Sequence, residues 1–154
     1  MVLRFLTWLT ESPLANLMSS ADWIFAVVQT FHFIGFALLI GTIAIVDLRL
    51  LGFGMRRQPA VDLAQELAPW TRIGLATMLI TGPMMLSTDA VAYSANPSFR
   101  FKMVCLLATL VYQFTVHRWA TASGTSSAFR RLAATVSLVL WTGVLAAGRM
   151  IAFV

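Results

Sequence analysis

The sequence predicts an all-α integral membrane protein, a four-helix bundle preceded by an N-terminal amphipathic surface helix. Two properties of the whole chain support this fold class. Of its 154 residues 59% are hydrophobic and 11% are charged, and the mean hydropathy is +0.82. The third observation is a run of 24 residues without a formal charge, Trp23 to Val46, which is long enough to cross a hydrocarbon core of about 30 Å. We expect one transmembrane domain over residues 1–154.

The first elements can be read from local patterns. Apolar residues at helical spacing predict an interfacial helix over residues 1–18. Ser12 and Pro13 have the pattern of an N-cap followed by a first-turn proline, which predicts a break and a second short turn. Ser19 and Asp22 have the spacing of a capping box, so the first span should begin there.

The remaining apolar segments predict three further spans. Residues 52–69 are expected to form a loop, in which apolar residues between positions 60 and 67 indicate a short interfacial helix. A turn rich in Ser, Thr and Gly precedes the last span. The predicted spans run over about residues 22–48, 68–90, 98–119 and 129–153.

The distribution of basic residues predicts the orientation. Seven lie in the two loops on one side of a four-span bundle: Arg49, Arg56, Arg57, Arg72, Arg118, Arg130 and Arg131. Four lie on the other side: Arg4, Arg100, Lys102 and Arg149. The positive-inside rule therefore places both termini outside the cytoplasm. Because these charges flank apolar segments, the pI near 10.7 indicates contact with the lipid bilayer rather than with nucleic acid.

Each predicted span carries a stripe of small and polar residues, which is the side expected to face the other helices. The stripes are Gln29, His32, Gly35 and Thr42; Gly74, Met78, Thr81, Gly82 and Met85; Lys102, Cys105, Thr109, Gln113 and His117; and Thr142, Ala146 and Arg149. Trp141 is also expected to face inward, because its N–H needs a partner. We expect these stripes to line a slot, with Gly35, Gly74 and Gly82 leaving room beside it.

The functional hypothesis starts from His32. It lies ten residues into its span, roughly 15 Å along the axis, and ionisable residues at such depth usually face the protein interior. A slot with an imidazole, thioethers and glycines suits haem b, with His32 as the metal ligand. A histidine that only hydrogen-bonds a neighbouring helix is the alternative. The candidate cofactor-binding residues are His32, Gln29, Gly35, Met78, Met85, Lys102 and Arg149, and no catalytic residue is assigned.

The second axial ligand stays open. His117 differs from His32 by roughly 10 Å in height, so we expect His117 and Arg118 at the inner interface and keep a bis-histidine haem as the alternative. Met78 and Met85 are alternatives as thioether ligands or as packing.

Lys102 and Arg149 are expected to hold the anionic edge of the haem, since both lie near the outer end of their spans. Snorkelling of their side chains toward lipid headgroups is the alternative.

Several segments resemble an uncharacterised bacterial family of small four-helix inner-membrane proteins: Trp23 through His32 and Gly35 to Arg49, Asn96-Pro97 to Lys102, and Trp141 to Gly148-Arg149. More distantly, the arrangement is similar to HemJ-type protoporphyrinogen oxidases and to CopD-like copper-resistance membrane domains. The HemJ-type resemblance implies haem ligation by His32 and by Lys102.

The expected function is that of a membrane-embedded b-type haem protein for electron transfer or haem-linked redox chemistry. The alternatives are a HemJ-like tetrapyrrole oxidase and a copper-related transport or structural protein without haem, in which Met78, Met85 and His32 line a path. Whether the chain is an enzyme, and whether it has a redox partner protein or forms a homo-oligomer, stays open. The sequence contains no glycine-rich phosphate loop, paired-histidine metal motif or nucleophile elbow.

Overall fold

The structure is a computed structural model that describes residues 2–54, 58–122 and 124–150, and side chains from residue 4 onward. This part of the chain is helical throughout and contains no strand, which confirms the all-α prediction. Three helices are long and apolar enough to cross a membrane: Asp22–Leu51, Pro97–Thr121 and Ser127–Met150. Arg56, Arg57 and the end of the last predicted span, residues 151–153, lie outside the described residues.

The helices of the described chain are as follows. They are α1 Val2–Thr10, α2 Pro13–Ser19, α3 Asp22–Leu51, α4 Ala60–Ser87, α5 Ala90–Ala95, α6 Pro97–Tyr112, a π-helical turn Gln113–His117, α7 Arg118–Thr121 and α8 Ser127–Met150. The three pieces from Pro97 to Thr121 form one long helix. The predicted interfacial helix corresponds to α1 and α2, of which α2 packs against α3 and α4.

The break between α1 and α2 confirms the prediction at Ser12 and Pro13. Ser12 is the N-cap of α2, and its hydroxyl accepts the N–H of Ala15 at 3.3 Å. The start of α3 at Asp22 is also confirmed. The predicted capping box is wrong, because α2 continues to Ser19 and the N-cap of α3 is Ala21, which has no side-chain acceptor.

The predicted loop over residues 52–69 is too long, since α4 already begins at Ala60 and continues through Pro69. The reason is burial: Ala60 packs with Val46, Leu50 and Ala134 in an apolar cluster. Helix α4 thus has 28 residues and is about 42 Å long. It is not among the three helices that are apolar enough to cross a membrane.

Helices α3 and α4 make a close contact at two glycines. A Cβ on Gly74 would lie 2.7 Å from the backbone N of Leu39 and 2.8 Å from the carbonyl oxygen of Gly35. A Cβ on Gly35 would lie 2.8 Å from Thr77. The prediction that Gly35 and Gly74 leave room beside a cofactor is therefore wrong, because the neighbouring helix fills that space.

The buried face of α8 differs from the predicted stripe. Thr142, Ala146 and Arg149 are exposed, whereas Trp141 and Val144 belong to the central apolar cluster with Leu39 and Ile43 of α3. Trp141 is 2% exposed, as expected for an inward residue. The large indole and its apolar neighbours determine which face is buried, and this rotates the polar stripe outward.

Candidate functional site

A hydrogen bond between the side chains of His32 and Thr81 joins α3 to α4. His32 on α3 is half-buried and Thr81 on α4 is buried. Nδ1 of the imidazole lies 2.8 Å from the hydroxyl oxygen of Thr81. Gly82 adjoins the ring, since a Cβ there would come no closer than 3.7 Å to Cε1 of His32. The predicted stripe of α4 therefore does face α3.

The hydrogen bonds of Thr81 define the tautomer of His32. The hydroxyl has one hydrogen, and Thr81 donates it to the carbonyl of Thr77 at 2.7 Å. Toward His32 the hydroxyl oxygen is consequently an acceptor, so Nδ1 of the imidazole carries a hydrogen. In the neutral ring this leaves the lone pair on Nε2, the nitrogen that a metal can bind. A hydrogen bond at the far ring nitrogen is also what orients histidine ligands in metal sites.

Lys102 lies beside this site. Its side chain extends along α8, where a Cβ on Gly148 would lie 3.6 Å from Cε and 3.7 Å from Nζ of Lys102. The ammonium group is also close enough to His32 for an electrostatic interaction between the two side chains. The structure thus brings two predicted site residues together, and Lys102 is half-buried in the bundle. We call His32, Thr81, Gly82, Lys102 and Gly148 the His32 site.

The other candidate residues lie in different environments. Gln29 is half-buried, one turn before His32. Met78 packs against the central apolar cluster, as expected for a packing residue. Met85 is half-buried, and Arg149 is exposed near the end of α8. Gly35 contacts α4, as described above.

A second polar cluster, which we call the His117 network, lies deeper in the bundle. Nε2 of His117 lies 2.5 Å from Oδ1 of Asp47 on α3. Nδ1 of His117 lies 2.9 Å from the side-chain nitrogen of Gln113, and the indole N–H of Trp141 points to the Gln113 oxygen at 3.5 Å. His117 is 4% exposed and Asp47 is fully buried.

The hydrogen bonds of this network all donate in the same direction, from Trp141 through Gln113 and His117 to Asp47. The indole of Trp141 can only donate, so the Gln113 carbonyl accepts and the Gln113 amide N–H donates to His117 Nδ1. Nε2 of His117 then carries the hydrogen that faces the Asp47 carboxylate. Such a chain can hold a proton between imidazole and carboxylate. The second carboxylate oxygen of Asp47 has no hydrogen-bond partner within the described residues.

His117 packs inside the bundle against α3, where it is buried and contacts Asp47. Its expected height at the inner interface stays a prediction. His117 is not available for a bis-histidine haem, since both ring nitrogens are hydrogen-bonded. Gln113 and His117 bound the π-helical turn, and such turns often occur at functional sites.

Part of the His117 network was predicted from the sequence. Gln113 and His117 belong to the predicted stripe of the third span, and Trp141 was expected to face inward. The uncharged run of the first span ends at Val46, so the sequence pattern gives no sign that the next residue, Asp47, is buried. Only the packing of α3 against the π-helical turn shows that Asp47 is buried.

The donor chemistry of the described residues restricts the metal sites they can form. No three His, Cys, Asp or Glu side chains in residues 2–54, 58–122 and 124–150 come together in a way that could hold a metal ion. The His32 site can supply an imidazole nitrogen and an amine nitrogen. These two nitrogens alone are too few to hold a metal ion without ligands from another source.

The comparisons with known proteins agree with part of the predicted resemblance. A family model with the description "Family of unknown function (DUF6644)" matches residues 5–154. No curated protein and no solved structure matches the chain. The resemblance to an uncharacterised family is therefore confirmed over nearly the whole chain. The more distant similarity to HemJ-type oxidases and CopD-like domains was not found and stays a prediction.

Proposed function

We propose that this chain, which belongs to the DUF6644 family of unknown function, is a membrane-embedded b-type haem protein for electron transfer or haem-linked redox chemistry. One observation carries the proposal. Thr81 accepts the Nδ1 hydrogen of His32, which leaves the Nε2 lone pair for iron.

Lys102 adds a second argument. A half-buried amine inside a membrane bundle is costly without a partner, so such residues usually mark functional sites. The amine interacts electrostatically with His32, so it would be placed to pair with an anionic group of the haem or to ligate its metal. A bound haem would supply one-electron chemistry. The residues of the chain would hold it, fix the imidazole tautomer and exclude water.

The membrane arrangement belongs to the same proposal. We place α4 as a fourth span beside the three apolar helices, since its 28 residues exceed the thickness of the hydrocarbon core. Four spans put both termini on one side, and the positive-inside rule places that side outside the cytoplasm of a bacterial cell. His32 then lies in the outer half of the inner membrane and the His117 network in the inner half.

Absorption spectroscopy tests the haem proposal. The full chain, expressed with haem precursors and purified in detergent, should show a Soret band. His32→Ala should abolish the band while size-exclusion chromatography shows a folded protein. His117→Gln is the matched control and should keep the band, since both nitrogens of His117 are engaged within the protein. A colourless wild type, or a His32→Ala variant with an unchanged spectrum, would contradict the proposal.

Two substitutions of Lys102 separate its two roles. Lys102→Arg keeps a cation but does not ligate iron readily, because the guanidinium stays protonated. Lys102→Met removes the charge. If Lys102 pairs with a propionate, the arginine variant retains haem and its ligand-field bands. If Lys102 ligates iron, both variants change the spectrum.

A second candidate is tetrapyrrole oxidation. It is supported by the closeness of His32 and Lys102, the two positions that the HemJ-type resemblance matches. Oxidation of protoporphyrinogen by the purified protein, lost in His32→Ala, would favour this function over electron transfer alone. A colourless protein that retains copper would instead favour the copper-related alternative.

A further inference from the structure

A cavity of about 360 Å³ lies at the far end of the bundle from His32. It is enclosed where α3 ends, where α4 begins and where α8 begins. Its lining residues are Arg49, Leu50, Gly52, Pro59, Ala60, Val61, Thr121, Gly124, Ser127, Arg130 and Arg131. None of its lining residues belongs to the His32 site.

The charge of this cavity has one sign. Three arginines are among its lining residues, Arg49, Arg130 and Arg131, and none of the lining residues is acidic. Like charges gathered around one cavity repel each other unless an anion lies between them. The seven basic residues counted for the positive-inside rule do not explain this convergence, because that rule requires only that they lie on one side of the membrane.

Arg130 provides an independent observation. Its Nη2 donates to the carbonyl oxygen of Ala122 at 3.2 Å, which holds the guanidinium in place. Its Nε is buried and has no hydrogen-bond acceptor within the described residues. Leaving a buried donor of a charged group unmet is costly. A group that brings an acceptor oxygen into the cavity would remove that cost.

Arg49 is also positioned by the backbone. Its Nε donates to the carbonyl oxygen of Gln58 at 2.7 Å, so the segment before α4 fixes the guanidinium at the cavity wall. Arg131 is exposed and completes the basic lining on the side of α8. The three arginines therefore approach the cavity from α3 and α8, which are separated by about half of the sequence.

Four helix ends also lie at the cavity. Helices α4 and α8 begin at Ala60 and Ser127, and each N-terminus is equivalent to about half a positive charge. Helix α3 ends beside Gly52 and α7 ends at Thr121, and each C-terminus contributes about half a negative charge. The helix ends therefore cancel, and the positive potential comes from the arginines.

We propose that this cavity binds a phosphate group, either of a phospholipid headgroup or of a soluble phosphate ester. Guanidinium groups bind phosphate oxygens in a bidentate manner. A cavity of 360 Å³ corresponds to roughly ten water molecules. It therefore has room for a phosphate together with an attached glycerol, which exceeds what an inorganic ion alone would fill.

Binding measurements on the purified full chain test this site. In phosphate-free detergent buffer the probes are inorganic phosphate and glycerol 3-phosphate, measured by calorimetry. In nanodiscs the probe is phosphatidylglycerol, measured by native mass spectrometry after release. Binding of the lipid only would identify a headgroup site, and binding of the soluble esters would identify a soluble ligand. Either result supports the proposal, whereas a wild type that retains none of the probes overturns it.

Substitutions connect binding to the cavity. Arg130→Gln should weaken retention of the bound probe about tenfold, because a charge-assisted bond and the buried donor are lost. Arg131→Gln, at an exposed position that should not disturb folding, is expected to weaken it as well. Arg118→Gln is the matched control, since Arg118 is a basic residue that does not line the cavity, and should bind like the wild type. An equal loss in all three variants would overturn the site. Haem content is not a readout here, so failure of this proposal is independent of the haem proposal.

Discussion

His117 and Asp47 are 70 positions apart in the sequence, and their side chains meet inside the bundle with 2.5 Å between Nε2 and Oδ1. The pair joins α3 to the π-helical turn of the third long helix. Both side chains are buried, and an acidic residue in such a place is stabilised chiefly by its partner. The pair therefore tests how much of the bundle's stability depends on polar contacts.

Removing one member of this pair should destabilise the protein. His117→Ala leaves the buried Asp47 carboxylate without its donor, and we expect the free energy of unfolding to fall by about 3–5 kcal/mol. Asp47→Asn keeps the shape and should cost less, about 1–3 kcal/mol. Denaturant unfolding in detergent micelles measures both. Glu66→Gln changes an exposed carboxylate and should have little effect. A His117→Ala variant as stable as Glu66→Gln would show that the pair contributes nothing.

The contact between α3 and α4 should not tolerate a side chain at Gly74. In Gly74→Ala the new Cβ would lie 2.7 Å from a backbone nitrogen, and a backbone cannot move aside as a flexible side chain can. We expect a loss of about 1–3 kcal/mol in stability. Gly143→Ala is the control, since a Cβ there meets nothing within 4 Å. Its expected effect is neutral or stabilising by about 0.5–1 kcal/mol. Equal melting temperatures of the two variants would contradict the close contact.

Thr81 should determine the tautomer of His32. In Thr81→Val the acceptor for the Nδ1 hydrogen is lost, whereas Thr81→Ser retains it. Nitrogen NMR of ring-labelled histidine should show a protonated Nδ1 in the wild type and in Thr81→Ser, and a mixture of tautomers in Thr81→Val. If the haem proposal holds, haem affinity should also fall about 10- to 100-fold in Thr81→Val. A wild-type imidazole protonated at Nε2 would contradict the hydrogen-bond assignment.

Trp141 should be the most important aromatic residue for stability. It is 2% exposed and packs with Leu39, Ile43 and Val144, so Trp141→Ala should cost about 3–5 kcal/mol through the cavity it leaves. Trp70→Ala is the control, because Trp70 is 54% exposed. Thermal unfolding in one detergent compares the two. Similar losses in both variants would mean that the cluster is not the core.

The orientation is tested by reporter fusions. Four spans with both termini outside the cytoplasm predict that a reporter active only outside the cytoplasm is active when fused at Val154. The same reporter inserted after Thr125 should be inactive. Activity after Thr125 and none at Val154 would invert the orientation, and activity at both sites would contradict a span between them.

Local chemistry was sufficient for much of the fold. The uncharged run from Trp23 to Val46 predicts a long helix because an unpaired backbone in hydrocarbon is too costly. Ser12 and Pro13 predict the break before α2. Asn96 directly precedes α6, which begins at Pro97. These features depend only on neighbours in the sequence, so they can be derived from it. His32 was also identified this way, as an ionisable residue at a depth where few occur.

Only the tertiary structure decided which face of each helix is buried and which polar groups meet. Gly35 and Gly74 were expected to leave space, and packing instead brings α3 against α4 at these positions. Asp47 directly follows the uncharged run that ends at Val46, and only the packed structure shows that its side chain is buried against His117. The physical reason is that contacts between residues far apart in the chain depend on helix rotation and height. Large side chains such as Trp141 determine the rotation and the height of a helix, and no local sequence pattern predicts these two quantities.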